Sequence, residues 1–225
     1  RAELAGYLEK QYGMECFPLD LKPAQSVRKA VIPAAGFGTR MFPATKAVKK
    51  EMFPLITPDG VANPIILAIV EEAVQSGIEE IAIIVRAGDE GFFRELFTPP
   101  PPAFYNRLPE KAKQACHQLQ ELGARLTFIP QEEQAGFGHA VYCARKWVGD
   151  EPFLLLLGDH IYVSNTPEPC SRQLIDAFSA HGGKRSVLGV YVAAAEEVSH
   201  YGTLRGNWLD EQRTVAEITE LAEKP

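Results

Sequence analysis

Residues 31–54 read VIPAAGFGTRMFPATKAVKKEMFP: an apolar start, Gly36 and Gly38, then Arg40, Lys46, Lys49 and Lys50 before the first acid. Counting back to Arg28 and Lys29 gives six cations between residues 28 and 50, with no Asp or Glu among them. The whole chain has the opposite balance, 23 Lys and Arg against 29 Asp and Glu, for a net charge of −6. A local cationic segment in an acidic chain suits a compact anion. The acidic total argues against a nucleic-acid binder, which needs a basic face to displace counterions. Glycines directly after a strand let backbone N–H groups approach a phosphate closely. Ala34, Ala35, Gly36, Phe37, Gly38 and Thr39, followed by Arg40, therefore form a candidate phosphate cradle.

Two better-known loops do not fit. A dinucleotide fingerprint needs a third glycine three residues after Gly38, and Met41 stands there with Pro43 close behind. A Walker loop needs Gly-Lys-Ser/Thr, and the chain has Gly38-Thr39-Arg40. A plain tight exit from a strand would explain the two glycines but not the unpaired run of cations.

The elements that must carry this loop follow from patterning. Apolar runs recur at AVIPAA from Ala30, IAIIV from Ile81, LTFI from Leu126, FLLLL from Phe153 and VLGVYV from Val187. They do not alternate in polarity, as expected of strands covered on both faces. Between them lie helical segments. One is expected from Asn63 as N-cap and Pro64 at the first position, with Ile66, Ile69, Val70 and Ala73 on one face and Gly77 closing it. Others are expected over residues 109–123, 138–148 and 167–181. The alternation predicts an α/β fold, a largely parallel sheet with helices on both faces. TPPPP from Thr98 reads as a surface connection. Residues 1–27 read as a helical extension and residues 28–225 as one domain.

The chain's 225 residues can bury roughly 70% of their unfolded surface, so no covalent staples are needed. No apolar run approaches a membrane span. Cys16, Cys116, Cys143 and Cys170 show neither zinc spacing nor a disulfide framework, which fits the cytoplasm. Asp159 closes FLLLLGD, so its carboxylate is expected at the same sheet edge as the glycine loop, where it can ligate a hard divalent cation or cap a helix. Gln131 ends another run, and its carboxamide can donate and accept, or simply face water.

GFGTRMFPATKAVKKEMFP resembles the signature loop of bacterial nucleoside-diphosphate-sugar pyrophosphorylases, above all the UTP:glucose-1-phosphate uridylyltransferases, whose pattern is GxGTRxxPxTKxxPKExxP. QEEQAGFGHAV from Gln131, LLLGD ending at Asp159, Tyr201-Gly202 and Glu223-Lys224-Pro225 follow in the family's order, so the likeness runs from about residue 28 to residue 225. It implies a Rossmann-like, GT-A-like nucleotidyltransferase in which a sugar 1-phosphate attacks the α-phosphate of UTP and pyrophosphate leaves, with UDP-glucose as product.

The resemblance also assigns roles. Arg40 and Lys50 are catalytic, Ala34 to Thr39 cradle the nucleotide, and Gln131 and Gly136 read uracil. Asp159 is implied to hold Mg²⁺, while Gly202, Glu223 and Lys224 take the sugar phosphate. Glucose could be replaced by another sugar, or UTP by dTTP, and a homo-oligomer is open. His139 reads as a structural residue at a helix start. The departures are Lys49, where relatives carry proline, and His160, where they carry Asp or Asn. Lys49 is expected to contact phosphate or water, and His160 to orient Asp159. Relatives continue past this point with a second metal-binding Asp, so the chain is expected to be truncated at its C-terminal end and to bind UTP with poor turnover. A noncatalytic regulatory relative and a nicotinamide-dependent oxidoreductase are the rival classes.

Overall fold

The computed structural model describes residues 26–58 and 60–223. The extension expected over residues 1–27 lies outside them but for Ser26 and Val27, as do Cys16 and Lys224. In chain order the elements are β1 (Lys29–Pro33), α1 (Ala44–Ala47), β2 (Pro54–Ile56), β3 (Ala62–Pro64), α2 (Ile65–Gln75), β4 (Glu80–Arg86), α3 (Glu90–Leu96) and α4 (Pro102–Tyr105). They continue with α5 (Glu110–Gly123), β5 (Leu126–Gln131), α6 (Phe137–Cys143), α7 (Arg145–Val148), β6 (Phe153–Leu155), α8 (Cys170–Ala180), β7 (Gly202–Trp208) and β8 (Ala216–Glu223).

β5, β4, β1 and β6 form one sheet in that order, with every neighbouring pair parallel. Side chains alternate across a strand, and the two faces of this sheet build two cores. Ala30 and Ile32 of β1, with Ile81, Ile83 and Val85 of β4, pack beneath Ile66, Ile69, Val70 and Ala73 of α2, Phe93 of α3 and Ile175 of α8. Val31, Ala82 and Ile84 point the other way, onto Ala140 of α6, Val148 of α7 and Ala144 between them. Both faces are thus apolar, which is why these strands read as continuous hydrophobic runs.

α2 shows why boundaries shift. Asn63 and Pro64, expected as N-cap and first helical residue, instead pair in β3 with Leu55 and Pro54 of β2, and the helix begins at Ile65. A tertiary strand partner outweighs the local cap. The far end is as expected: Gly77, at φ 92, occupies the left-handed region that favours glycine. The expected helices begin at Glu110, Phe137 and Cys170, the second one broken at Ala144 into α6 and α7.

The run VLGVYV corrects the strand expectation. Residues 187–192 form no strand among the described residues, and Val192 is 96% exposed. The outer edge of β6 is unpaired within the described residues, yet this run does not pair with it, so apolar composition alone does not make a strand. The proline connection behaves as expected, linking α3 to α4. An open cavity of about 600 Å³ there, bounded by Pro99 to Pro102, Tyr105 and His117, contains none of the candidate site residues.

Candidate functional site

Because the sheet is parallel, the carboxyl ends of β1, β4, β5 and β6 lie on one edge, where open α/β sheets bind ligands. The glycine loop leaves β1 there. Ala34 N–H still donates to Ile84 O at 2.7 Å, prolonging the strand, and then the backbone turns through Gly38 at φ 65. Thr45 clamps that turn by donating its Oγ1 to Gly38 O at 2.8 Å. A methyl group on Gly38 would lie 2.8 Å from Thr45 Cγ2, so backbone angle and space both demand glycine. Thr39 to Met41 follow as a single 3-10 turn that leaves Arg40 exposed, with no hydrogen-bond or ion-pair partner among the described residues.

Lys46, on α1, is exposed, and the remaining four cations separate into three groups. Arg28 and Lys29 belong to the opposite, amino end of β1. Arg28 pairs with Glu79 at 3.1 Å, and Lys29 with Glu151 at 2.6 Å and the Trp147 carbonyl at 3.1 Å. The strand's length, roughly 13 Å for four steps of ~3.3 Å, removes them from the loop. They are framework cations and not part of an anion site. Lys49 pairs with Asp89, which also takes Arg86 Nε at 3.1 Å, and the Arg86 guanidinium lies 5.5 Å from the ring centre of Phe37. Lys49, still 21% exposed, is therefore held by a carboxylate. It ties the segment after α1 to the turn between β4 and α3, with Phe37 of the glycine loop against the same arginine.

Lys50 is placed differently. Its Nζ lies 2.7 Å from Asp159 Oδ2 and 3.7 Å from Glu51 Oε1. A methyl group on Gly36 would sit 3.9 Å from both Lys50 Cε and Nζ, so the ammonium rests against the loop's first glycine. Asp159 arrives from β6 after Gly158, whose own missing side chain is required: a methyl group there would meet Pro33 O at 2.7 Å. Loop, lysine and aspartate converge as the sequence suggested. The His160 ring is exposed and makes no hydrogen bond among the described residues, so no contact orients Asp159 from that side.

Glu51 was not singled out from sequence. It is fully buried, and neither carboxylate oxygen has a hydrogen-bond partner among the described residues. Burial pushes its pKa from 4.5 up to about 7; its own backbone amide and the Lys50 charge oppose that shift without cancelling it. The available signal was the Lys50-Glu51 pair followed by apolar Met52 and Phe53, a carboxylate leading into a buried turn.

On the other side of the edge, Gln131 ends β5 and is only 2% exposed, so it does not trail into water. Its Nε2 donates to Gly136 O at 3.2 Å and to His139 Nδ1 at 3.0 Å. His139, in the first turn of α6, thus holds the carboxamide in place. Gly136 has φ 96 and ψ −176, a conformation essentially reserved for glycine. In β7 and β8, Gly202 and Glu223 are register partners of an antiparallel pair, so the two sugar-side positions meet at one end of that hairpin.

Residues 29–101 and 102–225 match the family model described as nucleotidyl transferase. The UTP–glucose-1-phosphate uridylyltransferase YngB of Bacillus subtilis is 43% identical over 204 residues, covering 89% of this chain and 64% of that protein. A second B. subtilis UTP–glucose-1-phosphate uridylyltransferase is 41% identical over 187 residues, covering 80% and 59%. The chain thus spans less than two thirds of the length of either relative. Among solved structures, an apo UDP-glucose pyrophosphorylase aligns with TM-score 0.76 at 29% identity over 88% of this chain and 70% of that one. A UTP-bound enzyme from Acinetobacter baumannii aligns with TM-score 0.72 at 25% identity, over 88% and 68%.

Proposed function

Given that the chain belongs to the nucleotidyl transferase family, we propose that this sheet edge joins UTP to glucose 1-phosphate, giving UDP-glucose and pyrophosphate. The observation that carries the reading is convergence on one edge: a buried carboxamide at the end of β5, a glycine turn at the end of β1, and a lysine-carboxylate pair between β1 and β6. Uracil presents an imide N–H flanked by carbonyl oxygens. With both donors of Gln131 engaged by Gly136 and His139, its Oε1 is the end that accepts the imide N–H. The Gly136 backbone, in a conformation no side chain tolerates, lets the base approach.

In the reaction an oxygen of the sugar phosphate forms a bond to the α-phosphorus of UTP while the bond to the β-phosphate oxygen breaks. Two anions must meet first. Unit charges ~4 Å apart repel by about 4 kcal/mol at an effective dielectric near 20. Lys50, held against Gly36, supplies fixed positive charge at the reacting phosphates, and exposed Arg40 reaches the departing pyrophosphate. Asp159 fits a divalent ion. It is a hard oxygen donor, 41% exposed at the edge, and already attracts a cation. The described residues hold no group of three or more His, Cys, Asp or Glu suited to a metal, so phosphate oxygens and water would complete its shell. That is the habit of Mg²⁺, which when bound would neutralise triphosphate charge. Gly202 and Glu223, with Lys224 beyond them, take the sugar phosphate.

The cytoplasm is the proposed setting: Cys116, Cys143 and Cys170 are free thiols. No helix among the described residues is long and apolar enough to cross a membrane. The test is pyrophosphate release with Mg²⁺, crossing UTP, dTTP, CTP and ATP with glucose and galactose 1-phosphates. UTP with glucose 1-phosphate is expected to be fastest. Release with no nucleotide preference, or none with UTP, would overturn the assignment.

A further inference from the structure

Building on the reading that Asp159 holds a divalent cation, we propose that Lys50 is a two-seat ammonium: it pairs with Asp159 until a divalent cation takes that carboxylate, and then moves to Glu51, which serves as its positioning residue. The two seats are already in place. Lys50 Nζ is 2.7 Å from Asp159 Oδ2 and 3.7 Å from Glu51 Oε1, so the second seat lies about 1 Å beyond hydrogen-bond length. Mg²⁺ binds carboxylate oxygens at roughly 2.0–2.1 Å. The ammonium and the metal ion therefore compete for one carboxylate and repel each other across it, and the lysine yields.

Glu51 is built to receive it. Its carboxylate is fully buried, with both oxygens lacking a hydrogen-bond partner among the described residues. Native proteins rarely leave such atoms unsatisfied without cause. The ammonium carries three donors and can fill that lack as soon as it leaves Asp159. Glu51 cannot come outward instead, because its Cγ lies against the Gly158 backbone, 3.4 Å from where a methyl group there would stand, and its turn is closed by Met52 N–H donating to Lys49 O. Lys50 would consequently stay beside Gly36 when the cation arrives, rather than swinging into water. Metal loading and lysine placement become one event.

Mn²⁺ binding, read by electron paramagnetic resonance at pH 8 without nucleotide, tests this in a double-mutant cycle. Lys50→Met removes the competitor and should tighten Mn²⁺ about tenfold, within the range over which contacting residues couple. Glu51→Gln removes the second seat and should weaken Mn²⁺ several-fold. In the Lys50→Met background the same Glu51 substitution should have no effect, because there is no ammonium left to receive. Equal affinity in wild type and Lys50→Met would overturn the proposal, and so would no detectable binding in any variant. A Glu51→Gln effect of the same size with and without Lys50 would also overturn it, since Glu51 would then act on the metal by charge alone. Asp159→Asn separates this from the underlying reading: undiminished Mn²⁺ binding there would refute the metal's placement itself.

Discussion

Glu51 makes the stability of the protein depend on pH in a direction opposite to that of a salt-bridged carboxylate. Its folded pKa of about 7 lies above the ordinary 4.5. Between those values the native state holds a proton that the unfolded chain has released, so stability falls as pH rises and the loss is complete above the folded pKa. The full interval corresponds to about 3 kcal/mol, of which about 2.5 kcal/mol falls between pH 5 and pH 8. Glu51→Gln keeps the shape and cannot titrate. Any cost of the carboxamide itself is the same at every pH, so the difference between the two proteins isolates the proton. Urea denaturation in the presence of a chelator should show wild type losing about 2.5 kcal/mol more than Glu51→Gln between pH 5 and pH 8. In thermal scans this amounts to roughly 5–10 °C for a domain of this size. Parallel profiles for the two proteins would show that burial places no penalty on this charge, and the account of Glu51 would fail.

Arg40, exposed and unpaired among the described residues, should matter to the reaction and not to folding. Arg40→Ala is expected to slow pyrophosphate release by about 10²–10³ while leaving the urea midpoint unchanged. Gly38→Ala forces a side chain into Thr45 at a left-handed backbone position; it should cost on the order of 1–3 kcal/mol, measured by denaturation, and weaken UTP binding. Lys49→Pro should be accepted by the backbone, since Lys49 has φ −61 and Val48 before it is extended at φ −133, ψ 135. Its loss of the Asp89 pair should appear as destabilisation of about 1–3 kcal/mol, and Lys49→Met should show the same cost. On the proposed reading of uracil by its carboxamide, Gln131→Leu should raise the KM for UTP far more than that for glucose 1-phosphate in steady-state assays.

Much of the frame is legible from short-range pattern. Ala30 to Val31, Ile81 to Val85 and Leu126 to Ile129 advertise strands buried on both faces; each is a strand, fully buried in β1 and β4 and partly exposed in the edge strand β5. Gly36 and Gly38 mark a tight exit from the first strand, and Asp159 follows the apolar run that becomes β6. Such features are local: strand period, glycine torsions and helix ends are decided within a few residues. That is also why the opposite case of residues 187–192 misleads, since a strand there depends on tertiary pairing, which composition does not decide even with the outer edge of β6 unpaired.

What the amino-acid order determines alone is therefore the supply of parts: strands, turns, a cationic loop and a carboxylate after the last strand of the sheet. Which charges stay available is a matter of three dimensions. Six cations without a neighbouring acid look like one anion site along the chain, yet folding hands Arg28 and Lys29 to Glu79 and Glu151 at the far end of β1, and Lys49 to Asp89. Lys50 meets Asp159 across 109 positions of chain. Burial of Glu51 and the holding of Gln131 by His139 come from the same source. Electrostatic partnership falls off over a few ångströms in space, irrespective of separation along the chain, so it is the order β5, β4, β1, β6 that selects the partners.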